Sequence, residues 1–266
     1  MKLEKATIDP LPQMTALLLY TNIIIYLLTN TFGDLTSVVY QYFASYNTFS
    51  PHFHLYQIFS HMFLHGGFTH LFYNMLILWI FGMILENAWG KWAYLIFYFV
   101  CGIGAWALHQ FVNWYEFSAM IALYGELLET CDYDTFLELV KLLPDKYQLI
   151  MIFTYNTNPD LAMHYLEMLV NGYRDIPTIG ASGAVFGVLA AFGLLFGETL
   201  LYAYFIFPIK AKWFVAFFIL LEVIAVTGGA DDNVAHFAHI GGALAAIIMI
   251  IVFRKQFGKN KLNNLN

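Results

Sequence analysis

The chain has 266 residues, of which 60% are apolar, 19% aromatic and 11% charged, with a formal net charge of −6. A soluble domain carries about 25% charged residues, so an ordinary soluble protein is excluded, and several runs approach the roughly 20 apolar residues that a bilayer-crossing helix needs. The scattered basic residues exclude a nucleic-acid patch. Two cysteines, Cys101 in an apolar run and Cys131 in a polar one, fit neither a disulfide framework nor a metal-ligand spacing.

In chain order, Met1-Lys2-Leu3-Glu4-Lys5 leads into a first apolar run, about Met14 to Leu28, with no small-residue cleavage site behind it. It is expected to be a retained span rather than a signal peptide. From Phe32 to Phe59 the single formal charge is Asp34, while Tyr40, Tyr42, Phe43, Tyr46, Phe49, Phe53 and Tyr56 recur. That aromatic content predicts a segment resting at the membrane interface. Span two is expected from about Gly67 to Leu85, ending at the Glu86–Lys91 turn, and span three from about Trp92 to Val112.

Between Asn113 and Asp175 the composition changes: ten acidic and three basic residues appear where the apolar runs stop. This predicts a soluble or interfacial helical insert. Ser118–Thr130 and Tyr133–Leu143 carry apolar residues at helical spacing. A third helix is marked by Asn158 as N-cap, Pro159 at the first helical position and Gly172 after its end.

Span four is expected from about Thr178 to Phe196. A break at Pro208, Lys210 and Lys212 precedes span five, about Trp213 to Thr227, and a turn at Gly228, Gly229, Asp231 and Asp232 precedes span six, about Asn233 to Phe253. Six spans put both termini on one side. With that side cytoplasmic, Lys2, Lys5, Lys91, Lys210, Lys212, Arg254, Lys255, Lys259 and Lys261 lie inside, leaving Lys141, Lys146 and Arg174 outside. The expected fold is therefore all-α. Residues 1–112 hold spans one to three, 113–175 an extracytoplasmic insert, 176–253 spans four to six, and 254–266 a basic cytoplasmic tail. The expected location is a bacterial inner (plasma) membrane, crossed several times.

Helices two, four and six all start on the outside under this topology. At 1.5 Å per residue, Ser182, His239, His70 and Asn74 then share a depth of roughly 5 to 10 Å. Ionisable groups inside spans are candidate functional groups, because hydrocarbon disfavours them strongly. Ser182, between glycines, is the candidate nucleophile, and His239 the general base that takes its proton. Attack on an amide creates an oxyanion. Asn74 and His70, four apart on one helix face, and the Ser182 backbone N–H supply the candidate donors.

Gly183 with Gly187, and Gly242 with Ala246, are small-xxx-small pairs that bring two helices close. His239, Gly242 and Ala246 form one stripe, and Phe186, one turn beyond Ser182, is placed to pack on the imidazole. Taken singly, a membrane Ser or Asn is more often a modest interhelical hydrogen bond; shared depth and facing distinguish this set. His236 reads as an interfacial or structural histidine. His61 and His65 lack a carboxylate or thiol partner in a clear ligand pattern, so no metal and no cofactor are expected.

His70-Leu-Phe-Tyr-Asn74, Gly180-Ala-Ser-Gly183 and Ala238-His-Ile-Gly-Gly242, in that order, resemble the motifs of the rhomboid intramembrane serine proteases. Phe63-Leu-His65-Gly-Gly67 and the Glu86–Gly90 turn extend the resemblance. It implies a six-helix rhomboid-like bundle and a Ser182–His239 dyad without an acidic third member. It also implies an oxyanion site of Asn74, His70 and the Ser182 backbone, and single-pass transmembrane proteins as substrates within the lipid bilayer. Ala246 stands where the family usually has glycine, and the insert replaces a short loop. A rhomboid-like protein that binds transmembrane clients without cutting them is the alternative; such proteins lack the dyad. A channel or transporter would show internal repeats or helices broken at mid-membrane, and neither pattern is present. The oligomeric state stays open.

Overall fold

The structure, a computed structural model, describes residues 8–143, 145–203, 207–228 and 234–253. The Met1–Lys5 stretch, Gly229, Asp231, Asp232, Asn233 and the basic tail lie outside the described residues. The fold is a multi-helix, all-α membrane fold with one small hairpin. Among the described residues, four helical stretches are long and apolar enough to cross a membrane: Gln13–Thr31, Phe68–Trp89, Lys91–Thr130 and Ala211–Gly228. Two shorter apolar helices are Ser182–Leu195 and His236–Val252. The chain divides into two compact units.

The first unit comprises the described residues of Met1–Ser45, His54–His109 and Thr178–Asn266. Helix α1, Gln13–Thr31, inverts the soluble pattern. Its buried stripe holds Thr15, Leu18, Asn22 and Thr29, while Leu17, Tyr20, Ile24, Leu27 and Leu28 are exposed, as hydrocarbon permits. Asn22 Nδ2 and the Thr29 hydroxyl donate to the carbonyls of Leu18 and Ile25 one turn back. The start of α1 is capped from a distance: Glu86, 3% exposed, accepts from the backbone N–H groups of Met14 and Thr15 and from the Thr15 hydroxyl at 2.7–2.8 Å. A carboxylate at a helix N-terminus meets both orphan donors and the positive end of the helix dipole. Glu86 is thus a buried helix cap, not merely part of an interfacial turn.

Helix α2 spans Gly33–Phe43, and a short helix α3, Gln57–Ser60, runs into a 3₁₀ turn at His61–Phe63. The next rod consists of α4 (Phe68–Ile77), a π-helical turn at Leu78–Gly82, and α5 (Met83–Trp89). Helix α6, Lys91–Thr130, buries Tyr94, Phe97, Tyr98, Cys101 and Ala105 in this unit, one stripe at helical spacing. Its 40 residues continue through Asn113 to Thr130, so the separate helix expected from Ser118 is corrected to the second half of one helix. No proline stands between Trp92 and Thr130 to end it.

The second unit, Tyr46–Phe53 and Gln110–Pro177, takes in the rest of α6 and three further helices. These are α7 (Tyr133–Lys141), α8 (Asp145–Thr157) and α9 (Pro159–Arg174). Asn158 caps α9 by accepting from Leu161 N–H, and Asp132 caps α7 through Thr135 N–H. Helix α8 was not anticipated; its apolar residues show no clean helical stripe. Phe117, Leu127, Phe136, Leu139, Leu166 and Val170 anchor this unit's own core. Ser50 donates to Asp175 at 2.7 Å, tying the Tyr46–Phe53 segment to the unit.

Helix α10, Ser182–Leu195, is central to the first unit: Gly183 to Val185 and Gly187 to Gly193 are all buried. Helices α11 (Ala211–Gly228) and α12 (His236–Val252) pack against it. Between α10 and α11 the expected break is an antiparallel hairpin, β1 (Leu200–Ala203) with β2 (Phe207–Lys210), pairing Leu200 with Lys210 and Tyr202 with Pro208. A two-stranded hairpin has only edge strands, where proline is tolerated.

Candidate active site

Ser182 opens α10, immediately after Ala181 and Gly180. Gly180 has φ +126°, a region where side chains are strained, and its N–H donates to the His61 carbonyl at 2.9 Å. Two residues before Gly180, Thr178 pairs its backbone with Ser45 in both directions, at 2.9 and 2.7 Å. The loop before Ser182 is therefore pinned at Thr178 and at Gly180.

His239 lies in the first turn of α12 and is 8% exposed. Its Nε2 is 2.8 Å from Ser182 Oγ. The Phe186 ring, one turn below Ser182, stacks on the imidazole with centroids 4.3 Å apart and planes 7° from parallel. Two heteroatoms at hydrogen-bond distance and a ring held flat from one side leave the imidazole little freedom to swing.

The approach of α10 and α12 rests on glycine. A Cβ on Gly242 would fall 1.8 Å from the Gly183 carbonyl oxygen, and one on Gly183 would meet Ala105 Cβ at 2.3 Å and the Ala238 carbonyl at 3.3 Å. Gly187 faces Cys101 and the Gly242 carbonyl, while Ala246 is fully buried on the same stripe. The helices touch backbone to backbone, which positions His239 against Ser182.

The other two predicted residues differ from each other. His70 reaches the serine loop: a Cβ on Gly180 would lie 2.9 Å from His70 Cε1, 3.0 Å from its Nε2 and 3.5 Å from Ser182 Oγ. The His65 ring packs beside it, centroids 5.0 Å apart. Asn74 is 6% exposed and donates through Nδ2 to the His70 carbonyl of its own helix at 3.0 Å. One amide proton is thereby occupied, leaving the second to serve any bound group. A cavity of about 20 Å³ adjoins Ser182, lined by His61, Thr178, Gly180, Gly183 and Ala235 among others. That is room for about one water molecule.

Outside the spans, burial lowers His61 to about 4 and His65, with His70 adding to the effect, to about 3. Both are neutral at physiological pH, and His61 Nδ1 lies 2.7 Å from the Gln57 carbonyl as its donor.

Sequence reasoning missed Glu222. This carboxylate sits in α11, and its Oε2 is 2.6 Å from His236 Nδ1 and 2.9 Å from His239 Nδ1. The expected dyad without an acidic neighbour is corrected: a carboxylate contacts the far side of the His239 ring. The signal was available, since Glu222 is the single charged residue between Trp213 and Gly228 and an ionisable group inside a span is a functional candidate by default. Its histidine partners are 14 and 17 positions further on, which periodicity could not connect. Glu222, His236 and His239 also bring one ligand atom each within 4.8 Å of one another, a donor set that could hold a metal. His61 and His65 are not part of it.

The Rhomboid domain family matches residues 52–122 and 147–256, leaving out 123–146 within the insert. The Rhomboid protease AarA of Providencia stuartii is 26% identical over 207 residues, which cover 77% of this chain. The matched stretch spans 58% of that relative's length. With a family match over more than half of its residues and the membrane-helical fold described above, this chain belongs to the rhomboid family.

Proposed function

We propose that the protein is an intramembrane serine endopeptidase that cleaves single-pass transmembrane proteins near the outer membrane face. The observation that carries this reading is the 2.8 Å approach of Ser182 Oγ to His239 Nε2 under the Phe186 ring. In this mechanism His239 takes the hydroxyl proton as Oγ bonds to the substrate carbonyl carbon, and the carbonyl electron pair moves onto oxygen. Ser182 N–H, His70 and the free amide proton of Asn74 stabilise that oxyanion; removing one such donor typically costs 10²- to 10³-fold in rate. His239 then returns the proton to the leaving amine, and a water deprotonated by the same base hydrolyses the acyl-enzyme. The cavity beside Ser182 has room for such a water.

The same proposal includes six spans, formed by the four long apolar stretches and the two shorter helices, in an inner membrane with both termini cytoplasmic. Residues 113–175 would form an extracytoplasmic insert that caps the cavity mouth or selects substrates. Replacing residues 113–174 by a short linker and assaying a panel of transmembrane substrates tests this last point; unchanged rate and selectivity would refute it. The peptidase reading is tested by incubating the purified protein with a single-pass transmembrane substrate beside Ser182→Ala and His239→Ala. Cleavage by the wild type that both substitutions abolish is expected, and cleavage that persists in Ser182→Ala would overturn it.

A further inference from the structure

Glu222 is the single charged residue of α11 after Lys212 in its first turn, and its side chain is only 13% exposed. Such a group is disfavoured there unless something holds it. His236 does so: its Nδ1–H donates to Oε2 at 2.6 Å. The same oxygen lies 2.9 Å from His239 Nδ1, and the opposite nitrogen of that ring lies 2.8 Å from Ser182 Oγ. The His239 ring therefore stands between an acceptor-only carboxylate and a hydroxyl.

An ionised carboxylate accepts and never donates, so its contact favours the tautomer with the proton on Nδ1. That tautomer leaves the Nε2 lone pair facing the Ser182 hydroxyl, as a general base requires. The Nδ1 approach to Oε2 is off the line of a straight hydrogen bond. Catalytic hydrogen bonds are often loosely aligned until substrate binds. His236, whose ring stands edge-on to His239 at 6.3 Å and 90°, anchors the carboxylate from its other side.

We propose that Glu222 is a positioning residue for His239: it fixes the Nδ1–H tautomer and stabilises the imidazolium that forms as Ser182 attacks, with His236 holding the carboxylate in place. The proposal rests on the reading of Ser182 and His239 as nucleophile and base. In the step concerned, the Ser182 proton moves to His239 Nε2 while Oγ bonds to carbon. The positive charge is spread over the ring beside the Glu222 carboxylate, and the same proton leaves with the amine when the C–N bond breaks. Glu222 keeps its charge throughout and takes no proton.

The test compares wild type with Glu222→Ala, Glu222→Gln and Glu222→Asp in the full chain, in chelator so that no metal occupies the cluster. Turnover of a transmembrane substrate is measured together with ¹⁵N spectra of ring-labelled histidine, the His239 signal being assigned from His239→Gln. Glu222→Ala is expected to lower kcat by about 10²-fold or more with KM changed less than about twofold, and Glu222→Asp to recover part of the loss. The His239 signal should move from the Nδ1-protonated form toward a tautomer mixture in Glu222→Ala, including in a Ser182→Ala background. An active wild type whose Glu222→Ala variant keeps its kcat and its tautomer overturns the positioning role and leaves the peptidase reading intact. An inactive wild type that shows the tautomer shift overturns the peptidase reading and supports the contact.

Discussion

A single methyl group at Gly242 is expected to remove most turnover. An alanine Cβ there would lie 1.8 Å from the Gly183 carbonyl oxygen and 2.7 Å from its carbonyl carbon, whereas carbon–oxygen contacts settle near 3.3 Å. Relief takes about 1.5 Å of separation between α10 and α12, and neither obstacle is a flexible side chain. His239 is three residues before Gly242 on the same stripe, and its Nε2 now sits 2.8 Å from Ser182 Oγ. Moved apart by that much, the pair passes beyond hydrogen-bond reach, and misplacement by about 1 Å typically costs 10²-fold in rate. Gly242→Ala should lower kcat/KM by about 10²- to 10³-fold, while overpacking destabilises by about 1–3 kcal/mol. Substrate cleavage in detergent or liposomes, read beside thermal melting, measures both. Gly125→Ala is the control, since nothing lies within 4 Å of a Cβ there. A folded Gly242→Ala enzyme with near wild-type kcat/KM would refute the argument that backbone contact sets the Ser182–His239 distance.

Gly180→Ala places a side chain at φ +126° and 2.9 Å from His70 Cε1; a stability loss of about 1–3 kcal/mol and a lower cleavage rate are expected, and an unchanged melt contradicts this. Glu86→Ala leaves the first N–H groups of α1 without their carboxylate. It should destabilise by about 2–4 kcal/mol in chemical or thermal unfolding, and a wild-type melt would show that water replaces the cap. Folded His61 and His65 stay neutral down to about 4 and 3, below the ordinary value of 6.5. The unfolded chain therefore binds more protons between those values, so stability is full above pH 6.5 and falls as pH drops through the window. Melts from pH 4 to 7 should show that slope, and His65→Phe should flatten it.

Much of the architecture is legible in the sequence because membrane spans are long apolar runs, and the α9 cap at Asn158 and Pro159 is a local signal. That α6 runs on past Val112 to Thr130 is not legible, since hydropathy falls there while helix propensity does not. Helix α8 and the Leu200–Lys210 hairpin are short elements whose apolar residues resemble their surroundings. At the site, the nearness of Ser182, His239 and Phe186 follows from helix depth and a stripe of small residues, both properties of single helices. Glu222 is different. Its position depends on how α11 leans on α12, a tertiary fact, so its contact with His239 needed coordinates.

The central claim, that Ser182 is a nucleophile activated by His239, is tested most directly by reacting the purified protein with a fluorophosphonate probe and locating the adduct by mass spectrometry. The account predicts one adduct, on Ser182, absent from Ser182→Ala and strongly reduced in His239→Ala. Labelling that survives Ser182→Ala, or that His239→Ala leaves at the wild-type rate, would contradict it.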